Sequence, residues 1–166
     1  MIKEFEFYHG AVLTKLLHES GHGVIIEPFS SPSNASYVLN KNIGLFIKHS
    51  TKRMSPWRFS FAKEHQDEIL EIKNKIGDVF LLLVCGEDGI LALSFEELKE
   101  ILNDVHNPVE WISVSRSKNT EYTVKGSDGP LGHKISKKDF PRKIFEAKVS
   151  QNSTNQEQKI FSWFVE

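Results

Sequence analysis

Cysteine is almost missing from this chain. Cys85 is the only one in 166 residues, which excludes an internal disulfide and a multi-cysteine metal knuckle. Long hydrophobic runs are missing too. The longest, VFLLLVC at 79–85, falls far short of the roughly 20 apolar residues that span a bilayer. The opening MIKEFEFYHG carries acids where a secretory leader needs an apolar core, so the expected location is cytoplasmic, away from any membrane. Net charge is only −1, which argues against a strongly basic nucleic-acid binder taken as a whole. The glycine clusters GHG and GEDG lack dinucleotide-binding spacing, and neither GxxxxGK nor GxSxG occurs.

What the chain does have is apolar and aromatic mass. Hydrophobic residues make up 39%, with 12 Phe, 3 Trp and 3 Tyr, enough for the core of one domain. The expected division is a core over 8–149, a polar connection over 150–158, and an aromatic segment over 159–166. That last segment, reading KIFSWFVE from Lys159, is a final strand, a docking segment or a partner surface.

Periodicity predicts the elements. Val12, Leu13, Leu16 and Leu17 place a helix over 8–19, stopped by GHG, where glycine meets a positive φ without steric cost. VIIE, SYVLN and IGLFIKH read as three strands, the last two joined by a tight reversal. Pro56 limits WRFSF to an edge strand or strand start, with Trp57, Phe59 and Phe61 inward. A helix over 63–76 turns Ile69, Leu70, Ile72 and Ile76 inward. VFLLLVC is a strand covered on both sides, and GEDG turns it into ILAL. Ser94 and Glu97 form a capping box ahead of another helix, and VEWISVSR with TEYTVK forms a hairpin. The fold class is α/β: a single domain with a mixed sheet flanked by helices.

Charge is segregated along the chain. Residues 40–63 hold six lysines and arginines and no acid; 64–104 hold eleven acids against three bases; 116–148 hold nine bases against four acids. Such blocks either build separate faces or interleave and cancel.

The order helix, three strands with a lysine closing the third, helix, buried strand resembles the core of the restriction-endonuclease-like PD-(D/E)xK nucleases. FIK at 46–48 carries the resemblance, with Lys48 at the motif lysine. The resemblance implies two carboxylates holding Mg²⁺ beside a scissile phosphate, because a hard ion takes oxygen ligands, and a lysine that positions the attacking water. Here Phe46 stands where one acid is expected, and Ser36 or Asn40 where the other is. The implied protein is a degenerate member without a complete metal site. If it were an active Mg²⁺-dependent nuclease, Lys48 would need carboxylates from elsewhere, such as Glu19 and Glu27, with Glu27 facing it across adjacent strands.

Without the family, the stretch from Lys48 to Ser60 is acid-free. Lys48, Lys52, Arg53 and Arg58 offer phosphate donors, and Trp57 is either a stacking platform or a core residue. The leading expectation is therefore a protein that binds the phosphate backbone of DNA or RNA. The alternatives are a protein-interaction or homodimer module using the acidic helices and the aromatic tail, and the relocated-carboxylate nuclease. HESGH at 18–22 breaks helical geometry at Ser20-Gly21 and is no zinc motif, and Cys85 beside Glu87 and Asp88 reads as a buried hydrophobe.

Overall fold

The first helix starts a turn earlier than its apolar stripe requires, because Glu6 accepts the Lys3 N–H and caps it. The computed structural model of the chain describes residues 1–147, so the expected polar connection and aromatic segment lie outside the described residues. In chain order the elements are α1 (Glu4–Glu19), β1 (Ile26–Pro28), β2 (Ser36–Leu39), β3 (Ile43–Ser50), β4 (Trp57–Phe61) and α2 (Lys63–Ile76). There follow β5 (Val79–Cys85), β6 (Gly89–Ser94), α3 (Phe95–Ile101), β7 (Glu110–Ser115), β8 (Thr123–Gly126) and β9 (Gly129–Pro130). Residues 139–147 are helical. The chain is a single α/β domain whose mixed sheet is flanked by helices.

The first sheet runs β1-β2-β3-β5-β6. Its first three strands form an antiparallel meander, β3 and β5 are parallel, and β6 returns as a hairpin through GEDG. The crossover from β3 to β5 contains β4 and α2. Side-chain alternation splits this sheet into two faces. Leu45, Ile47, Phe80, Leu82 and Val84 pack with Val12 and Leu16 of α1 and with Phe140 and Ile144 of the last helix. Phe46, Leu81, Leu83 and Cys85 face α2, α3 and a second sheet. α2 lies so close to β3 that a Cβ on Gly44 would stand 2.0 Å from Ile72 Cγ2.

Beside this mixed sheet stands a second one, β4-β7-β8-β9, which was not foreseen. WRFSF is an edge strand, as Pro56 requires, but it leaves the first sheet and pairs with β7 in antiparallel register, Phe59 opposite Ile112. Trp57, Phe59 and Phe61 enter the core between the sheets, while Arg58 and Ser60 are exposed. Two expected core residues are corrected: Leu17 and Leu70 are exposed, because the stripes of α1 and α2 are narrower than periodicity suggested. The capping box stands, with Ser94 Oγ accepting the Glu97 N–H at 3.2 Å and Glu97 returning to the Ser94 N–H at 2.9 Å.

Candidate functional site

β3 outruns β2. The register begins at Ser36 opposite Phe46, and one further bond, from the Ile47 N–H to the Ala35 carbonyl at 2.9 Å, closes that side. Lys48, His49 and Ser50 continue alone on the β2 side while β5 pairs them on the other. A cavity of about 300 Å³ opens beside this bare edge, bordered by Phe5 and His9 of α1, Ser33 and Asn34 of the loop before β2, and His65 of α2.

Lys48 shares the face of Phe46 and reaches towards α2. Its ammonium donates to Nδ1 of His65 at 3.3 Å and lies 4.7 Å from the centre of the Phe61 ring. Burial pulls its pKa down to about 8. Among the described residues no ion pair with a carboxylate forms at Lys48. His65 occupies the third position of α2, where its Nδ1 also accepts the Ala62 N–H at 3.0 Å. A nitrogen that accepts a backbone N–H carries no proton of its own, so the ring proton resides on Nε2. Burial, and then the Lys48 charge, lowers the His65 pKa. Across the strand, His49 stacks on Tyr8 with ring centres 4.4 Å apart and meets Glu4 at 2.9 Å. His9 meets the Tyr37 hydroxyl at 2.8 Å, and burial together with nearby His49 lowers its pKa to about 4.

One carboxylate lies close by but is occupied. Glu68 Oε2 accepts from Ser33 at 2.6 Å and from Ser36 at 2.9 Å. Burial raises its pKa, but the serine hydroxyls outweigh burial and leave it lowered. Glu68 thereby fastens the loop before β2 to α2. Sequence reading missed it because its serine partners lie about 30 residues upstream.

The carboxylates expected to serve Lys48 are elsewhere. Glu27 in β1 aligns with Val38, which aligns with Gly44, so β2 intervenes and Lys48 lies four positions further on. At about 4.8 Å between strands and about 3.3 Å per residue, that is a separation of roughly 16 Å. Glu27 therefore does not face Lys48 across adjacent strands. Glu19 ends α1, about 22 Å of helical rise from the Glu4 that meets His49. It borders a different cavity with Lys15, Lys137 and Arg142, on the α1 side of the sheet. Asn40 is a turn residue at φ 50, its Oδ1 accepting the Ile25 N–H at 2.9 Å; Ser36 is the residue opposite Phe46. Among the described residues, no group of three or more His, Cys, Asp or Glu is placed to hold a metal ion.

The basic residues of 48–58 do not form one patch. Trp57 is 2% exposed and donates from Nε1 to the Lys52 carbonyl at 2.9 Å, so it is a core residue and offers no stacking face. Arg58 lies on the opposite side of β4 from Phe61, and hence from Lys48, with its guanidinium 4.6 Å from the Trp111 ring. Lys52 and Arg53 occupy the exposed loop that leaves β3.

That loop has unexpected neighbours. The Gly86 N–H, just after β5, donates to the Ser50 carbonyl at 3.0 Å. Ser55 Oγ accepts the Arg116 N–H at 3.0 Å. Arg116 Nε in turn reaches Asp88 at 3.0 Å, as does the Tyr122 hydroxyl at 2.7 Å, and Lys137 Nζ stands 3.9 Å from the same carboxylate. The Arg116 guanidinium foremost holds the Asp88 carboxyl below its ordinary range. The two basic blocks of the sequence thus meet around the turn 86–88, at the carboxyl ends of β3 and β5. Most acids of the middle block ride on α2 and α3. Cys85, beneath this turn, is fully buried, and burial drives its thiol pKa far up, which makes it inert.

No helix among the described residues is long and apolar enough to cross a membrane. No family model, no curated protein and no solved structure matches the chain.

Proposed function

We propose that the chain is a nucleic-acid-associated protein that holds phosphate backbone along the carboxyl edge of β3 and β5, on a degenerate restriction-endonuclease-like core without a complete metal site of its own. The observation that carries this reading is that the loop of Lys52 and Arg53 lies against Gly86 and is tied through Ser55 to Arg116, which with Lys137 meets Asp88 in the same turn, from sequence blocks more than fifty residues apart. The carboxyl ends of parallel strands are where open α/β sheets take ligands. Phosphate is the natural counterpart of clustered lysine and arginine, because each contact releases condensed counterions.

The core resemblance is supported by topology. A helix, a three-strand meander, a crossover carrying a helix and a parallel fourth strand follow in the family's order, with Lys48 at the third strand's exit. Ser36 and Phe46 face one another where that family places acids. Neither Glu27 nor Glu19 approaches Lys48, so geometry gives no support to a Mg²⁺-dependent nuclease. The protein-interaction or dimer alternative rests on the acidic helices α2 and α3 and on residues 159–166, the latter outside the described residues.

The test is binding of labelled single-stranded and duplex DNA and RNA at rising salt. Lys52→Glu with Arg53→Glu is compared with Lys75→Glu, which lies at the far end of α2. Loss in the first variant alone supports the reading. Salt-insensitive binding, or a double variant that binds as the wild type does, ends it.

A further inference from the structure

A lysine ammonium withdrawn from water without a carboxylate partner is costly, because burial penalises its charge and nothing nearby compensates. Lys48 is in that condition, and it borders a cavity of about 300 Å³. Its neighbours are the unprotonated Nδ1 of His65 and the ring of Phe61. One of its three N–H groups is directed at His65, and the others remain for a ligand.

The surroundings are short of acceptors and supplied with donors. Backbone direction alternates along a strand, so the His49 N–H projects to the same side as that of Ile47, past the end of β2. Asn34 lines the opposite wall. His65, in the first turn of α2, borders the cavity. The carboxylates of the neighbourhood are engaged or exposed. Glu4 meets His49, Glu68 accepts from Ser33 and Ser36, and Glu64 is exposed on α2.

We propose that this cavity binds a phosphomonoester, held by the Lys48 ammonium with the His49 backbone N–H and the Asn34 amide beside it. A phosphomonoester fits better than a diester within a strand. A monoester brings up to two charges and three terminal oxygens, against one charge and two free oxygens for a diester, to the donors of Lys48, His49 and Asn34 at a cavity bordered by α1, α2 and the loop before β2. The end of a polynucleotide and a free nucleotide both carry such an ester; the shared group is the terminal phosphate. The inference deepens the nucleic-acid reading and rests on it for the origin of the phosphate, but inorganic phosphate tests the cavity alone.

Bound phosphate favours the charged form of Lys48 and raises its pKa. The Lys48 contribution to affinity is therefore full below about pH 8 and lost as pH rises through the bound-state value, while protonation of the phosphate itself, below about pH 6, weakens binding from the acid side. The groups around Lys48 are His65 of α2, on which Glu68 and Glu64 act in turn, Phe61 of β4, and, across the cavity, His49 of its own strand and His9 of α1.

The experiment titrates inorganic phosphate into the full chain while the Lys48 side chain and the His65 ring are followed by NMR. Saturable shifts at millimolar phosphate, with a Lys48 pKa that climbs, are expected. Lys48→Met weakens the titration at least tenfold. His65→Gln, which keeps a capping acceptor at the start of α2, retains the fold and weakens it less. The absence of saturation, or an unchanged titration in Lys48→Met, overturns the proposal. If Lys48→Met does not fold, Asn34→Asp decides: a carboxylate in the wall abolishes phosphate binding, and unchanged binding overturns the proposal. A second arm compares 5′-phosphorylated with 5′-hydroxyl oligonucleotides and adds a nucleoside monophosphate as competitor. Tighter binding of the phosphorylated strand assigns the group to a strand end, and competition by the mononucleotide alone assigns it to a free nucleotide. Equal strands without competition overturn the proposal. Because the phosphate arm contains no polynucleotide, its outcome is independent of the edge formed by Lys52 and Arg53.

Discussion

Ser55 accepts the backbone N–H of Arg116 through its hydroxyl at 3.0 Å, across 61 residues of sequence. This bond ties the loop leaving β3 to the strand end of the second sheet, and it brings two basic blocks to one edge. The consequence for binding is measurable. The double variant Lys52→Glu, Arg53→Glu lowers the slope of log affinity against log salt by about 2, since each lost phosphate contact removes roughly 0.9. A slope that stays unchanged removes these two residues from the interface.

Asp88 is the acid that this edge carries at its centre. Asp88→Asn weakens the bonds to Arg116 and Tyr122 and costs about 1–3 kcal/mol of stability. It also releases Arg116 and Lys137 from a negative partner, so polyanion affinity rises as stability falls. Denaturant melts and binding measured on the same variant check the opposed signs. A parallel loss of both would mean that Asp88 organises the edge more than it neutralises it.

Lys48 makes stability depend on pH in a stated window. Its proton is held less tightly in the folded chain, at about 8, than at the ordinary 10.5. Between those values the unfolded chain binds more protons, so the Lys48 contribution to stability rises with pH there, and below about 8 its full cost is present. Comparing denaturation of the wild type and Lys48→Met at several pH values isolates the effect. The difference between the two curves shrinks from pH 8 upwards; parallel curves would place Lys48 in water.

Glu68→Ala leaves the hydroxyls of Ser33 and Ser36 without their acceptor, and Ser36 is buried. The expected cost is about 1–3 kcal/mol. Because the Glu68 pKa is lowered in the folded chain, its contribution holds above the ordinary carboxylate value and is lost as pH falls through the folded one. Acid unfolding of the variant therefore begins from a lower plateau and with a shallower slope.

How much of this was legible in the sequence follows from distance along the chain. The alternation of WRFSF and the proline before it gave a strand and its edge position, because both are local properties. Its partner, Glu110–Ser115, lies some fifty residues on, and no local signal says that β4 abandons the sheet of β3. The Ser94–Glu97 capping box was readable for the same reason of range. Lys48 was recognisable at a strand exit, but His65 was not recognisable beside it. That contact depends on the crossover returning α2 over β3, where Gly44 admits Ile72. Trp57 was open between stacking and packing, and only the second sheet closes it in.

Gly86 has a wider consequence. It sits at φ 56, and a Cβ there would stand 2.3 Å from the Lys52 carbonyl oxygen, so the end of β5 presses directly against the loop that carries Lys52 and Arg53. A loop held by that contact, by Trp57 and by Ser55 has already given up most of its conformational entropy before any partner arrives. Association then carries little ordering cost, and affinity reflects charge more nearly than it would for a floppy basic tail.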